Sequence, residues 1–188
     1  MKKHLLVCLL ALVLASLCML PSQVQAAEET HYHCACGADH VSIDGHTTDS
    51  SSNWKPLPFD ENGNVQWPTA GNRYYLTRDV VIDKTWVVEM TNAPIVLCLN
   101  GHNITMEVSG PAIEVNGTDA GKKASLTITD CKGEGKITHK DSAKGPAVQV
   151  CGFGSFTMYG GTITGNHVNG NGGGVYVDGK NSSFTMYG

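Results

Sequence analysis

From residue 110 onward, apolar and polar residues alternate in runs of three to five positions, separated by glycine, asparagine and aspartate. Ile113-Glu114-Val115, Leu126-Thr127-Ile128 and Lys136-Ile137-Thr138 are examples. Alternation at period two predicts short strands with one face buried. Glycine and asparagine between the runs supply the backbone corners that let a chain turn within a few residues. After the apolar N-terminal segment, no stretch shows apolar spacing of three and four long enough for a helix.

The runs repeat. Phe156-Thr157-Met158-Tyr159-Gly160 recurs letter for letter as Phe184-Thr185-Met186-Tyr187-Gly188, a shift of 184 − 156 = 28. Ala147-Val148-Gln149-Val150-Cys151-Gly152 aligns with Gly174-Val175-Tyr176-Val177-Asp178-Gly179, a shift of 27 (174 − 147). An earlier, more diverged copy holds Gly110-Pro111-Ala112-Ile113-Glu114-Val115, then Ser125-Leu126-Thr127-Ile128, then Gly135-Lys136-Ile137-Thr138. A fainter fourth unit starts at Ile95-Val96-Leu97-Cys98 and includes Asn103-Ile104-Thr105.

Three short strands in a unit of about 28 residues, repeated along the chain, predict one coil of a parallel β-solenoid. Equivalent residues of successive coils then lie directly above one another, ~4.8 Å apart. The inward ladders expected are Leu126–Phe156–Phe184, Ile128–Met158–Met186, Ile113–Val148–Val175, Val115–Val150–Val177 and Ile137–Ile163. Thr127–Thr157–Thr185 is the outward one. An antiparallel sandwich also needs many short strands, but its strands do not recur at fixed offsets in identical words.

These words resemble a known class. Gly172-Gly173-Gly174-Val175-Tyr176-Val177, Phe156-Thr157-Met158 and Gly160-Gly161-Thr162-Ile163-Thr164-Gly165-Asn166 are similar to the glycine-rich repeats of right-handed parallel β-helices. Such repeats occur in pectin-lyase-like secreted and cell-surface proteins of bacteria, often as adhesin-like arrays. The resemblance spans roughly residues 73–188 and implies an all-β, single-stranded, right-handed parallel β-helix. It does not choose an activity, because the class holds polysaccharide lyases, glycoside hydrolases and non-catalytic surface proteins. The last copy stops at Gly188, where the preceding one continues into Gly161-Thr162-Ile163-Thr164. The expectation is therefore a β-helix incomplete at its C-terminus.

The first segment reads as an address. Met1-Lys2-Lys3-His4 is basic, Leu5 to Leu20 is an almost unbroken apolar run, and Val24-Gln25-Ala26 offers small residues for cleavage. That three-part pattern predicts a secretory signal peptide over residues 1–26, and hence a secreted or cell-surface protein. A membrane anchor is the competing reading, but the run is short of the ~20 residues a spanning helix needs. Lipidation at Cys18 fits less well behind the bulky Leu17. Removing the signal leaves 188 − 26 = 162 residues and five cysteines (7 − 2): Cys34, Cys36, Cys98, Cys131 and Cys151. An odd number cannot all pair within one chain, so this is not a disulfide-framework scaffold.

Composition narrows the function classes. Of the 188 residues 16% are charged, with net charge −4, so no basic stripe for nucleic acid exists. Of the 22 glycines, 12 fall from residue 145 onward, without a collagen period and with only 7 prolines in the chain. That placement fits coil corners.

Residues 27–72 form a lead-in of different character, with Ser50-Ser51-Ser52, Pro56, Pro58, Pro68, Trp54 and Trp67. One of the two tryptophans is expected to cover the open end of the core. The lead-in also holds His31-Tyr32-His33-Cys34-Ala35-Cys36 and His40, with His46 beyond. Imidazole and thiolate are ligands that Zn²⁺ prefers, so His31, His33, Cys34, Cys36 and His40 are candidate metal ligands. Cys-x-Cys is tighter than the usual structural-zinc spacing, which leaves an oxidisable segment or a local disulfide open as alternatives.

Catalysis on this fold needs carboxylates clustered on one outer face of adjacent coils. The repeat alignment instead sets Glu114 against Gln149 and Tyr176, Asp178 against Cys151 and Asn116, and Asp130 near Tyr159 and Tyr187. Asp79, Asp83 and Glu89 read as solvated turn residues, and His102, His139 and His167 as exposed loop histidines. No catalytic residue is assigned. The expectation is a non-catalytic, adhesin-like or glycan-interacting surface module, with carbohydrate or a host or cell-wall surface as partner. The alternative is a polysaccharide lyase or glycoside hydrolase whose catalytic coils lie beyond residue 188.

Overall fold

A computed structural model describes residues 54–89 and 93–187. The signal peptide at 1–26 and the candidate ligands His31, His33, Cys34, Cys36 and His40 lie outside the described residues. Within them the chain is all β, with no helix. The strands are β1 (Trp54–Pro56), β2 (Arg73–Tyr75), β3 (Val80–Ile82), β4 (Trp86–Glu89), β5 (Ile95–Cys98), β6 (Ile104–Met106) and β7 (Ile113–Gly117). They continue as β8 (Ala124–Thr129), β9 (Lys136–His139), β10 (Val148–Gly152), β11 (Gly154–Met158), β12 (Thr162–Ile163), β13 (Val175–Asp178) and β14 (Ser183–Met186).

Three parallel sheets result, ordered β1-β2-β5-β8-β11-β14, β13-β10-β7-β4 and β12-β9-β6-β3. From β2 the chain visits the six-stranded sheet, then the β3 sheet, then the β4 sheet, and returns to the first at β5. The same cycle repeats to β14. This is the stacking of a parallel β-solenoid. Its strands are two to six residues long because each run is ended by a turn before it can lengthen.

Every expected ladder is formed in register, and only Val177 and Met186, on the last described coil, are exposed among the residues expected to face inward. Leu126, Phe156 and Phe184 are register partners, as are Ile128, Met158 and Met186. Ile113, Val148 and Val175 align, as do Val115, Val150 and Val177, and Ile137 aligns with Ile163. The alternation dictates the burial. In β8 Ala124, Leu126 and Ile128 are fully buried while Ser125 and Thr127 between them are partly exposed. The fainter fourth unit joins the same stack, with Ile95 opposite Leu126 and Ile104 opposite Ile137.

Coil lengths vary with the loops. Phe156 and Phe184 are 28 positions apart (184 − 156), whereas Ile113 and Val148 are 35 apart (148 − 113). The longer interval contains the turn bridged between Asp119 and Lys122. At one corner Gly152 has φ 60° and faces Gly117, and a Cβ there would run into the Gly117 carbonyl oxygen. Only glycine fits both demands.

The lead-in contributes to the stack. β1 pairs with β2, extending the six-stranded sheet by one strand before residue 73. Leu57 is buried in the common core, and a turn with Phe59 opposite Val65 leads to Trp67. Trp67 lies flat on the buried Trp86 of β4, the outermost strand of its sheet, and so covers that end of the core. Trp54 sits instead on the edge strand β1, with the Arg73 guanidinium 6.0 Å from its ring centre.

Candidate functional site

The most regular surface is the outer face of the six-stranded sheet. Each strand points alternate residues outward, and the register brings Trp54, Arg73, Val96, Thr127, Thr157 and Thr185 into one row across six strands. Beside it runs Ser125–Ser155–Ser183, with the Ser183 hydroxyl donating to Ser155 Oγ at 3.1 Å. On the other side of the threonines, Tyr159 and Tyr187 stack with ring centres 4.6 Å apart and planes 7° from parallel. The result is a strip of hydroxyls across β8, β11 and β14, flanked on one side by the tyrosine pair beyond the last two of these strands. Its neutral hydroxyls each donate and accept, and its tyrosines add apolar rings with polar tips.

The sheet containing β4, β7, β10 and β13 carries the acids. Its outer rows are Val87–Glu114–Gln149–Tyr176 and Glu89–Asn116–Cys151–Asp178. Each carboxylate here therefore faces a neutral group in the next coil. Glu114 accepts from Asn116 Nδ2 at 3.1 Å and from the Cys151 thiol at 3.6 Å. Burial and the neighbouring Glu114 charge push the Cys151 thiol up to about 11. Asp79, Asp83 and Glu89 are exposed, and Asp79 accepts from the Asn103 amide at 2.9 Å. Its Oδ1 also lies 3.4 Å from His102 Nδ1.

Two polar groups depart from the sequence expectation. Asp130 aligns with Gly160 rather than with Tyr159, because the tyrosine amide bonds to the Ile128 carbonyl and stands opposite Thr129. Asp130 is buried and accepts from the amides of Gly101, Lys132 and Gly135 at 2.7, 3.2 and 2.6 Å. It ties its own turn to the coil before it.

His139 is not an exposed loop histidine. It ends β9 and is 4% exposed, with Nδ1 2.7 Å from Asn166 Oδ1 and Nε2 2.8 Å from the Gly110 carbonyl. Asn166 is oriented by donating Nδ2 to the carbonyls of Ile137 and Thr164. Three consecutive coils are thus joined through one imidazole. His167 is exposed, as expected, whereas His102 is partly covered.

Cysteine pairing was equally hidden. Cys98 and Cys131 approach to 3.4 Å between sulfur atoms, on neighbouring coils. The signal that could have found them is the alignment of Ile95-Val96-Leu97 with Leu126-Thr127-Ile128. That alignment sets Cys98 opposite Thr129, two residues from Cys131.

Among the described residues no group of three or more His, Cys, Asp or Glu side chains could hold a metal ion. Among them, too, no helix is long and apolar enough to cross a membrane. Comparison with protein-family models, curated proteins and solved structures finds no match to this chain.

Proposed function

We propose that this chain is a secreted, non-catalytic surface module that uses its six-stranded face as an adhesin-like, glycan-interacting scaffold. The observation that carries this reading is the serine, threonine and tyrosine strip, repeated at coil spacing on one face. Sugar rings offer apolar C–H faces to tyrosine and hydroxyls to the serine and threonine row, and an extended polymer can engage several coils at once. Binding of that kind accumulates from weak, repeated contacts. The rows that set Glu114 against Gln149 and Asp178 against Cys151 favour it over acid–base hydrolysis, which needs two carboxylates across one bond.

The remaining assignments belong to the same proposal. Residues 1–26 serve as a cleaved signal peptide, which places the mature chain outside the cytoplasm. Residues 27–72 are a lead-in whose His31, His33, Cys34, Cys36 and His40 are available to zinc. Residues 73–188 form a bacterial β-helix of pectin-lyase-like type. Its hand is right, since parallel crossovers within a sheet are right-handed in about 98% of cases.

The test is retardation of the purified protein in gels containing neutral and uronate polysaccharides. At least one polymer should retard the wild type, and the double variant Tyr159→Ala/Tyr187→Ala should weaken that retardation by roughly tenfold with little change in Tm. Equal mobility of wild type and variant on every polymer would defeat the glycan reading. Depolymerisation of a uronate polymer in the presence of Ca²⁺ would defeat the non-catalytic one.

A further inference from the structure

We propose that Cys98 and Cys131 close a disulfide that clamps two successive coils of the solenoid together. The inference is independent of what the outer face binds. Cys98 ends β5 opposite Thr129 of β8, and Cys131 follows two residues later, so both side chains leave the same stretch of adjacent strands. The sulfur atoms are 3.4 Å apart, and the Cys98 thiol donates to Cys131 Sγ. The Cys131 amide in turn donates to Cys98 Sγ at 3.4 Å, and its thiol to Asn100 Oδ1 at 3.5 Å. A disulfide needs sulfurs at about 2.05 Å, so closure asks for a shift of little more than an ångström.

The surroundings hold the pair in place. Asn100 has φ 55°, in the left-handed region, and donates Nδ2 to the Leu76 carbonyl one coil earlier at 2.8 Å. Asp130, beside Cys131, is fixed by the amides of Gly101 and Gly135. Both cysteines therefore sit on backbone secured by hydrogen bonds across coils.

The two thiols differ in access, which sets the order of events. Cys98 is fully buried and Cys131 is partly exposed. Hydrogen bonding to Cys131, together with burial, holds the Cys98 thiol well above the usual thiol range. With a small-molecule disulfide as oxidant, the Cys131 thiolate attacks one oxidant sulfur, and the other leaves as a thiolate. Cys98 then loses its proton and attacks Cys131 Sγ, displacing the second oxidant half as a thiol. Two protein thiols and one oxidant disulfide become one protein disulfide and two small thiols.

The clamp encloses the stretch from Cys98 to Cys131, 33 positions (131 − 98), and includes β6, β7 and β8. Closing it restricts the unfolded chain and raises stability. Cys34 and Cys36 lie outside this loop and Cys151 follows it, so the pairing leaves those three for other chemistry.

The test uses the full chain, incubated with oxidised glutathione, alkylated and digested with trypsin. Cleavage after Lys84, Lys122, Lys123 and Lys132 puts Cys98 and Cys131 in separate peptides, each with one cysteine. The expected product is residues 85–122 linked to residues 124–132, lighter by two hydrogens than the two peptides reduced. Cys98→Ala should trap glutathione on Cys131 as a mixed disulfide. The wild type, compared oxidised and reduced, should differ in Tm by roughly 10 °C. Recovery of both peptides fully alkylated after oxidation, or linkage of Cys131 to a cysteine other than Cys98, would overturn the assignment.

Discussion

Trp67 lies flat on Trp86, with ring centres 4.3 Å apart and planes 6° from parallel. Trp86 belongs to the outermost strand of its sheet, where a solenoid would otherwise show its core to water. The lead-in tryptophan thus acts as the lid of this end. Trp67→Ala should lower unfolding stability by about 2–4 kcal/mol, read from urea denaturation. Trp54→Ala, at the edge of another sheet, should cost clearly less. Equal losses would remove the capping role.

The phenylalanine ladder gives a graded expectation. Phe156 is fully buried between Leu126 and Phe184, whereas Phe184 is only partly covered on the last described coil. Phe156→Ala should cost about 3–5 kcal/mol and Phe184→Ala less than half of that, because a half-exposed ring leaves a smaller cavity. Thr157→Ala, between them on the outer face, should stay within about 0.5 kcal/mol. A Thr157 effect as large as that of Phe156 would mean the strand faces the other way.

His139 and Asn166 act as one unit. Removing the imidazole takes the partner from two part-buried oxygens, and removing the amide loses two further bonds to carbonyls. Each alanine variant should cost roughly 2–4 kcal/mol. A double-mutant cycle should show coupling of about 1 kcal/mol or more. Additive losses would say that the contact contributes nothing of its own.

Cys151 supplies the pH dependence. Burial and Glu114 raise its thiol to about 11 from an ordinary value of 9.0, so folding favours the protonated form. The stability this confers is complete below pH 9 and fades as pH rises toward 11. Alkylation of Cys151 in the native protein should still be accelerating at pH 10, and Glu114→Gln should move the profile to lower pH. A plateau already at pH 9 would contradict the assigned environment.

How far these features were legible in the sequence differs by residue. The Phe156 and Phe184 ladder follows from identical five-residue words, since a period-two run and a fixed offset determine both face and partner. Gly152 at a corner was legible for the same reason. Gly160 as the partner of Asp130 was also countable, from the offset of 30 between Ile128 and Met158, but the carboxylate's burial was not, because it depends on amides of Gly101 and Gly135 outside the repeat words. His139 reads as polar and therefore exposed, and its burial is made tolerable by Asn166 from the next coil and the Gly110 carbonyl from the one before. Trp67 has no counterpart in any repeat, so its stacking partner could not be counted out. Cys98 and Cys131 are not register partners, so only the alignment of the faint fourth unit with Leu126-Thr127-Ile128 leads from one to the other.

The central claim is that equivalent residues of successive coils lie one strand spacing apart in parallel register. Nitroxides attached through bioorthogonal side chains at positions 127 and 157, 127 and 185, and 96 and 185 test it by continuous-wave EPR. The spacings implied are ~4.8, ~9.6 and ~14 Å, so spin–spin broadening should fall steeply in that order. Comparable broadening for the three pairs, or the strongest at 96 and 185, would contradict the stacked-coil architecture.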